Sequence, residues 1–197
     1  MMITLTGFMG SGKTTVGKAL ADFLGCPFLD LDDQVVKKAG KSIPEIFAQD
    51  GEPAFRQLEA RLLKQTVEKY AESTVVLALG GGAILSPASA ALLHEKTVCI
   101  YLRASLETLR GRLAGETACR PLADDAMADR LAEREPLYEQ TAHVVIDTDG
   151  LAPDEVADEI IIAALLESYF KKSFSREESC LRTWFGFRGW PSCGDWL

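Results

Sequence analysis

The chain has 197 residues, 47% hydrophobic and 25% charged, an ordinary balance for a soluble globular protein with one sizeable core. Its 29 acidic residues outnumber 21 Lys and Arg for a net charge of −8, and no basic block occurs, which argues against nucleic acid as the main partner. No apolar run reaches the roughly 18 residues of a membrane span, and the first strand follows Met1 at once, so a cytoplasmic enzyme without a membrane partner is expected.

"MITLT", from Met2 to Thr6, is apolar and β-branched and predicts a buried strand. Gly7-x-x-x-x-Gly12-Lys13-Thr14 follows, and "TTVGKALADFLG" then has helical apolar spacing with a stop at Gly25. Strand, glycine loop and helix in that order form the context in which this spacing holds phosphates. Gly7, Gly10 and Gly12 let the backbone turn its N–H groups toward an anion at the helix N-terminus. Lys13 is placed to follow the β- and γ-phosphates and the Thr14 hydroxyl to ligate Mg²⁺. ATP is therefore expected along Gly10, Ser11, Gly12, Lys13, Thr14 and Thr15.

Downstream, "CPFLD" predicts a short strand running into Asp30, and "SIPEIFAQDG" a helix capped by Ser42, with Pro44 in its first turn and a stop at Gly51. "FRQLEARLLKQTVEKYA" predicts a long amphipathic helix with Leu58, Leu62 and Val67 facing inward. "TVVLAL" is a buried strand that ends on Gly80, Gly81 and Gly82, and "SPASAALLHEK" a helix opened by Ser86 and Pro87. A strand "TVCIYL", a helix "SLETLRGRL" and the turn-rich "AGETACRPLADD" come next. "AMADRLAEREPLYEQTA" returns to helix with Pro136 expected at a bend or junction, followed by the strand "HVVID" and a closing helix from Pro153. This alternation predicts an α/β domain with a mainly parallel sheet. Cys26, Cys99, Cys119, Cys180 and Cys193 show no CxxC spacing, and Cys26 and Cys99 read as core. His94 and His143 fall near element boundaries, and neither is expected to be catalytic.

Ligands of open α/β sheets gather at the carboxyl ends of the strands. The phosphate loop, "DLDD" and the three glycines all fall at such ends. If the strand geometry persisted, Asp30 and Asp32 would both point into the site, one toward a metal and the other toward an acceptor hydroxyl. As an alternative, they open a helix whose first turn favours acid. Gly80 to Gly82 either donate N–H groups to the acceptor or form a flexible turn. Arg56 stands near a helix start, where the dipole disfavours a cation, and so hints at an anionic partner, although Glu52 and Glu59 are also near. Arg134 precedes "EPLY", and Arg120 lies in the one segment whose composition suits a mobile lid.

Together "GFMGSGKTT", "FLDLDD", "GEPAFRQLE", "GGG", "RPL" and "REPLY" resemble the shikimate kinase family from Met2 to about Leu166. The resemblance implies a three-layer P-loop kinase fold, a five-stranded parallel sheet flanked by helices with a mobile lid at about 112–126. The implied activity is ATP-dependent phosphorylation of the 3-hydroxyl of shikimate, on the route to chorismate and aromatic amino acids, with Mg²⁺ as cofactor. By motif, Lys13, Asp32 and Arg120 are catalytic, with Asp32 holding the acceptor hydroxyls as candidate base. Asp30 lies near Mg²⁺ through water. Arg56 and Arg134 hold the carboxylate, and Gly80, Gly81 and Gly82 line the acceptor pocket. Arg120 faces the transferring phosphoryl group, and Arg112 and the loop at Pro153 are expected beside adenine.

Two features depart from the family. The stretch from Arg120 to Arg134 is short, and the tail beyond about Phe170, with Trp184, Trp190 and Trp196, matches none of its motifs. Residues 1–170 are thus taken as the kinase domain and 171–197 as an extension of unknown role. A monomer is expected. The competing readings are another small-metabolite P-loop kinase, such as a gluconate kinase, and a kinase-like binding module without catalysis.

Overall fold

Five short strands pair in parallel in the order β2-β3-β1-β4-β5: β1 (Met2–Thr6), β2 (Phe28–Asp30), β3 (Val75–Ala78), β4 (Val98–Arg103) and β5 (Val144–Asp147). The computed structural model describes residues 1–114 and 126–174, the stretch 164–174 for backbone alone. Chain contacts divide it into Met1–Ala164, which holds the whole sheet, and Leu165–Leu197. Arg120, most of the segment expected to form a lid, and the tail 175–197 lie outside the described residues. Among the described residues no helix is long and apolar enough to cross a membrane.

Eight α-helices are described: α1 (Lys13–Leu24), α2 (Leu31–Ala39), α3 (Ile43–Gln49), α4 (Glu52–Lys69), α5 (Pro87–Lys96), α6 (Leu106–Leu113), α7 (Met127–Thr141) and α8 (Pro153–Phe174). The two-residue period of a strand sends alternate side chains to opposite faces. Met2, Val75, Leu77, Cys99 and Tyr101 pack on one face with Leu31 and Val35 of α2, Leu63 of α4, Leu93 of α5, Leu109 of α6 and Tyr138 of α7. Ile3, Leu5, Val76, Ile100 and Leu102 pack on the other with Val16 and Leu20 of α1 and Val156 and Ile160 of α8. Strands covered on both faces must be apolar throughout, which is why they read as unbroken hydrophobic runs. Leu63 is fully buried in the first layer, and its truncation to Ala costs about 2–5 kcal/mol.

Register levels the site. Leu5 of β1 and Asp30 of β2 both align with Ala78 of β3, so the phosphate loop, the aspartates and Gly80 leave the sheet at one height. Because β1 pairs β3 on one side and β4 on the other, the loop after Thr6 opens into the crevice between those strands.

Local chemistry fixes the helix ends as read from sequence. Ser42 opens α3 with a capping box, its N–H and hydroxyl both donating to Glu45 Oε2 at 2.8 and 2.6 Å. Ser86 Oγ accepts the Ser89 N–H at the start of α5, and Gly25 ends α1.

At three places the structure decides between or departs from the sequence readings. The strand stops at Asp30 and α2 begins at Leu31, so of the two readings of this stretch the helix start holds. Only Leu31 and Val35 of α2 are buried, so its apolar period is too sparse to stand out. Helix α4 begins at Glu52, three residues before Phe55, with Pro53 in its first turn, which places Arg56 in the second turn, beyond the strongest pull of the dipole. Pro136 sits inside the continuous α7 rather than at a junction; its missing N–H leaves the Ala132 carbonyl without an intrahelical donor.

Candidate active site

The loop Gly7–Gly12 turns on glycines for two reasons. Gly7, Gly10 and Gly12 have φ of 145°, 81° and 93°, where side chains are strained. A Cβ on Gly7 would also lie 2.6 Å from the Leu102 carbonyl oxygen. Lys13 Nζ donates to the carbonyls of Gly7 and Phe8 at 2.9 and 2.8 Å, so its ammonium is held over the loop's concave side. At the head of α1 the free N–H groups and this ammonium form an anion seat.

Asp30 ties two helix starts together. Its Oδ2 accepts from the Thr14 hydroxyl of α1 at 2.9 Å, and its Oδ1 accepts the Asp32 N–H of α2 at 2.9 Å. The hard oxygens of Thr14 and Asp30 thus converge beside the phosphate seat, a donor pair that suits Mg²⁺ sharing its remaining positions with water and phosphate. Asp32 reaches the site from the first turn of α2, not from a strand: the acidic helix start and the site carboxylate are the same residue.

Of the three glycines, Gly80 and Gly82 provide space, while a Cβ on Gly81 would meet its neighbours at the ordinary contact distance of 3.5 Å or more. A Cβ at Gly80 would fall 2.5 Å from Glu59 Oε1 and 2.7 Å from Asp32 Oδ1, and one at Gly82 would fall 2.5 Å from the Arg56 guanidinium. None of the three has positive φ. The missing side chains at Gly80 and Gly82 let two carboxylates and a guanidinium lie directly on the backbone.

Arg56 pairs with both of the glutamates read as its neighbours. Its Nη1 donates to Glu59 Oε2 at 2.8 Å, and its Nε and Nη2 donate to Glu52 Oε1 at 3.2 and 3.1 Å. Burial works against the charged guanidinium, yet Glu59 and Glu52 hold its pKa above the ordinary value. Glu59 is only 2% exposed. Burial raises its carboxyl pKa, the Arg56 charge and hydrogen bond oppose this, and Asp32 adds to the rise. Glu59 Oε1 is buried with no hydrogen-bond partner among the described residues.

Arg134 of α7 approaches the neighbouring glycine. Its Nη1 lies 3.5 Å from the Gly81 carbonyl oxygen and its guanidinium stands 5.8 Å from the centroid of Phe8. Two arginines from separate helices therefore rest against adjacent glycines. Arg112 of α6 donates to the Thr148 carbonyl and hydroxyl at 2.8 and 3.1 Å and reaches Gly10 O at 3.5 Å, which fixes it beside the phosphate loop.

One cleft of about 810 Å³ gathers these groups: Gly10 to Thr15, Asp30, Asp32, Arg56, Gly80 to Gly82, Arg112, Arg134 and Pro153 all line it. That volume accommodates a nucleotide and a small acceptor together. Of the residues expected from sequence, only Arg120 falls outside the described residues. The sequence reading missed Ile43, Phe47, Phe55 and Glu59, which line the same cleft. Phe47 and Phe55 meet at 5.0 Å with rings tilted 49° and give the cleft an apolar wall beside Arg56. The histidines lie elsewhere, stacked 4.5 Å apart, with His143 Nδ1 accepting the Cys99 N–H. Cys99 is buried as expected, while Cys26 is half-buried against the second layer.

The comparisons agree with this geometry. The shikimate kinase family model matches residues 9–165. The chain is 44% identical over 162 residues to the shikimate kinase of Salinibacter ruber, covering 76% of this chain and 78% of that one. It superposes on a solved shikimate kinase from Acinetobacter baumannii, in complex with shikimate, with TM-score 0.77 and 35% identity over 84% of this chain and 93% of that one. A gluconokinase from Sinorhizobium meliloti shares the fold alone, with TM-score 0.54 and 20% identity over 87% and 97% of the two chains. The chain belongs to the shikimate kinase family.

Proposed function

We propose that the protein transfers the γ-phosphoryl group of ATP to the 3-hydroxyl of shikimate, yielding ADP and shikimate 3-phosphate. One observation carries this choice of acceptor: Arg56 and Arg134, from separate helices, rest against adjacent glycines that line the cleft. Paired guanidiniums suit a carboxylate. Phe47 and Phe55 beside them suit a rigid ring with an apolar face better than an open polyol hydroxylated along its length.

Each residue has a role in this reading. Lys13 and the loop N–H groups follow the phosphates from Gly10 to Thr15. Asp32 orients the acceptor hydroxyl and accepts its proton as the new O–P bond forms and the bond to ADP breaks. Arg112 and Pro153 flank the adenine. Arg120 is assigned to the charge on the transferring group, and the segment at about 112–126 to a lid, on the strength of the "RPL" motif alone. Mg²⁺ fits the oxygens of Thr14 and Asp30 (the latter through water), and when bound with ATP it neutralises charge between the phosphates. We assign the activity to residues 1–170 acting as a cytoplasmic monomer, with no role given to 171–197.

The test is a phosphoryl-transfer assay with shikimate, gluconate or no acceptor, the product read by phosphorus NMR. Shikimate 3-phosphate as the dominant product is expected. Faster turnover with gluconate would move the chain to the other small-metabolite kinase reading, and absence of transfer to any acceptor would favour a binding module.

A further inference from the structure

Tyr138 lies on α7 one turn beyond Arg134 and is fully buried. Residues four apart share a helix face, so the two side chains meet by construction. The Tyr138 ring stacks on Tyr101 of β4 with centroids 5.0 Å apart, which fixes its plane. Its hydroxyl donates to the Gly81 carbonyl at 2.5 Å. The Arg134 guanidinium donates to the same carbonyl oxygen, its Nη1 lying 3.5 Å away. Burial holds the phenol well above its usual pKa, against the opposing charge of Arg134, so it remains a neutral donor at working pH. Gly81 in turn sits against the phosphate loop: a Cβ there would lie 3.5 Å from both Gly7 O and Met9 N.

We infer that Tyr138 is a positioning residue whose hydroxyl locks the Gly81 peptide and the Arg134 guanidinium into one hydrogen-bonded unit, presenting the arginine to the acceptor carboxylate already oriented. A tyrosine needed only for packing would require no hydroxyl at its inner end. Here the hydroxyl is spent on the Gly81 carbonyl, which the Arg134 guanidinium also approaches. A guanidinium held before binding loses less freedom when the carboxylate arrives, so the effect falls on acceptor affinity. The inference rests on shikimate as the acceptor.

The experiment is a double-mutant cycle of wild type, Tyr138→Phe, Arg134→Lys and the double variant. It is read as KM for shikimate, KM for ATP and kcat/KM for shikimate. Tyr138→Phe keeps every packing atom of the ring and should raise the shikimate KM about 10-fold, the order expected for one hydrogen bond to a charged group. The ATP KM should stay within about two-fold, because the phosphate loop keeps its own contacts. In the Arg134→Lys background the same change should cost far less, since the group it orients is gone. KM does not depend on how much of a preparation is folded, so partial loss of stability leaves this readout intact. A packing role would lower kcat through the active fraction, with both KM values unmoved and the two substitutions multiplying. Either an unmoved shikimate KM in an active Tyr138→Phe protein or multiplying effects on kcat/KM would overturn the positioning role alone. A wild type that does not phosphorylate shikimate would overturn the acceptor and this role together.

Discussion

Arg56 Nη1 donates to Glu59 Oε2 at 2.8 Å across one turn of α4, and the other oxygen of that buried carboxylate rests against Gly80 beside Asp32. The pair does two opposed things. It holds a guanidinium at the wall of the cleft, and it keeps a carboxylate out of water where burial disfavours its charge.

Burial makes the charged form of Glu59 a cost to stability. Its folded pKa lies above the ordinary glutamate value because burial outweighs Arg56. Such a group favours the fold while protonated, so its contribution is complete below the unfolded pKa of about 4.3 and is lost as pH rises through the folded value. Glu59→Gln should accordingly gain stability relative to wild type as pH rises, the difference widening from about pH 4.3 upward. Denaturant unfolding of both proteins across that range checks the sign; a difference that shrinks with pH would mean Arg56 stabilises the carboxylate more than burial penalises it. The same variant should weaken shikimate binding by about 1.5–3 kcal/mol, the scale of a hydrogen bond to a charged group.

Gly82→Ala should separate space from flexibility. The nearest atoms to the new Cβ all belong to the Arg56 guanidinium, the far end of a long side chain, and the backbone φ at Gly82 is −114°. Stability should stay within about 0.5 kcal/mol of wild type, as for changes away from the core. The shikimate KM should rise about 10-fold or more through the displaced arginine, with ATP KM unchanged. Thermal melting with steady-state kinetics tests both halves, and an unmoved shikimate KM would show that Arg56 can shift without cost.

Lys13→Met removes the only cation described on the phosphate loop itself. Turnover should fall about 10²-fold or more, the range seen when one preorganised donor to developing charge is lost. The fold should survive, because the loop is set by Gly7, Gly10 and Gly12. Single-turnover kinetics on the folded variant measures this; a rate near wild type would remove Lys13 from the catalytic assignment.

The local parts of this site were legible in the sequence and the tertiary parts were not. The phosphate loop is contiguous, so its spacing carried the geometry with it. Asp30 and Asp32 were singled out by residue type while their geometry stayed open between strand and helix start, because a switch from strand to helix at Leu31 is decided by packing of only two apolar residues. Glu59 looked like an ordinary i+3 partner of Arg56, a pairing usually found on surfaces; its burial under Gly80 depends on where β3 ends. Phe47 and Phe55 flank Gly51 and resemble core residues, since nothing local says that their shared face opens on a cleft. Tyr138 carried no signal beyond its place in "REPLY".

In the proposed function Arg56 and Arg134 together read a carboxylate on the acceptor. Calorimetric titration tests it most directly, with shikimate and an analogue whose carboxylate is reduced to an alcohol, into wild type, Arg56→Ala, Arg134→Ala and the double variant. Each single substitution should weaken shikimate binding by about 2–5 kcal/mol, as for truncating one partner of a buried charge pair. The double variant should depart from additivity, because the two share one partner. The alcohol should bind wild type poorly and lose little more on either substitution. Equal weakening of shikimate and the alcohol would contradict the account, for the arginines would then be recognising something other than the carboxylate.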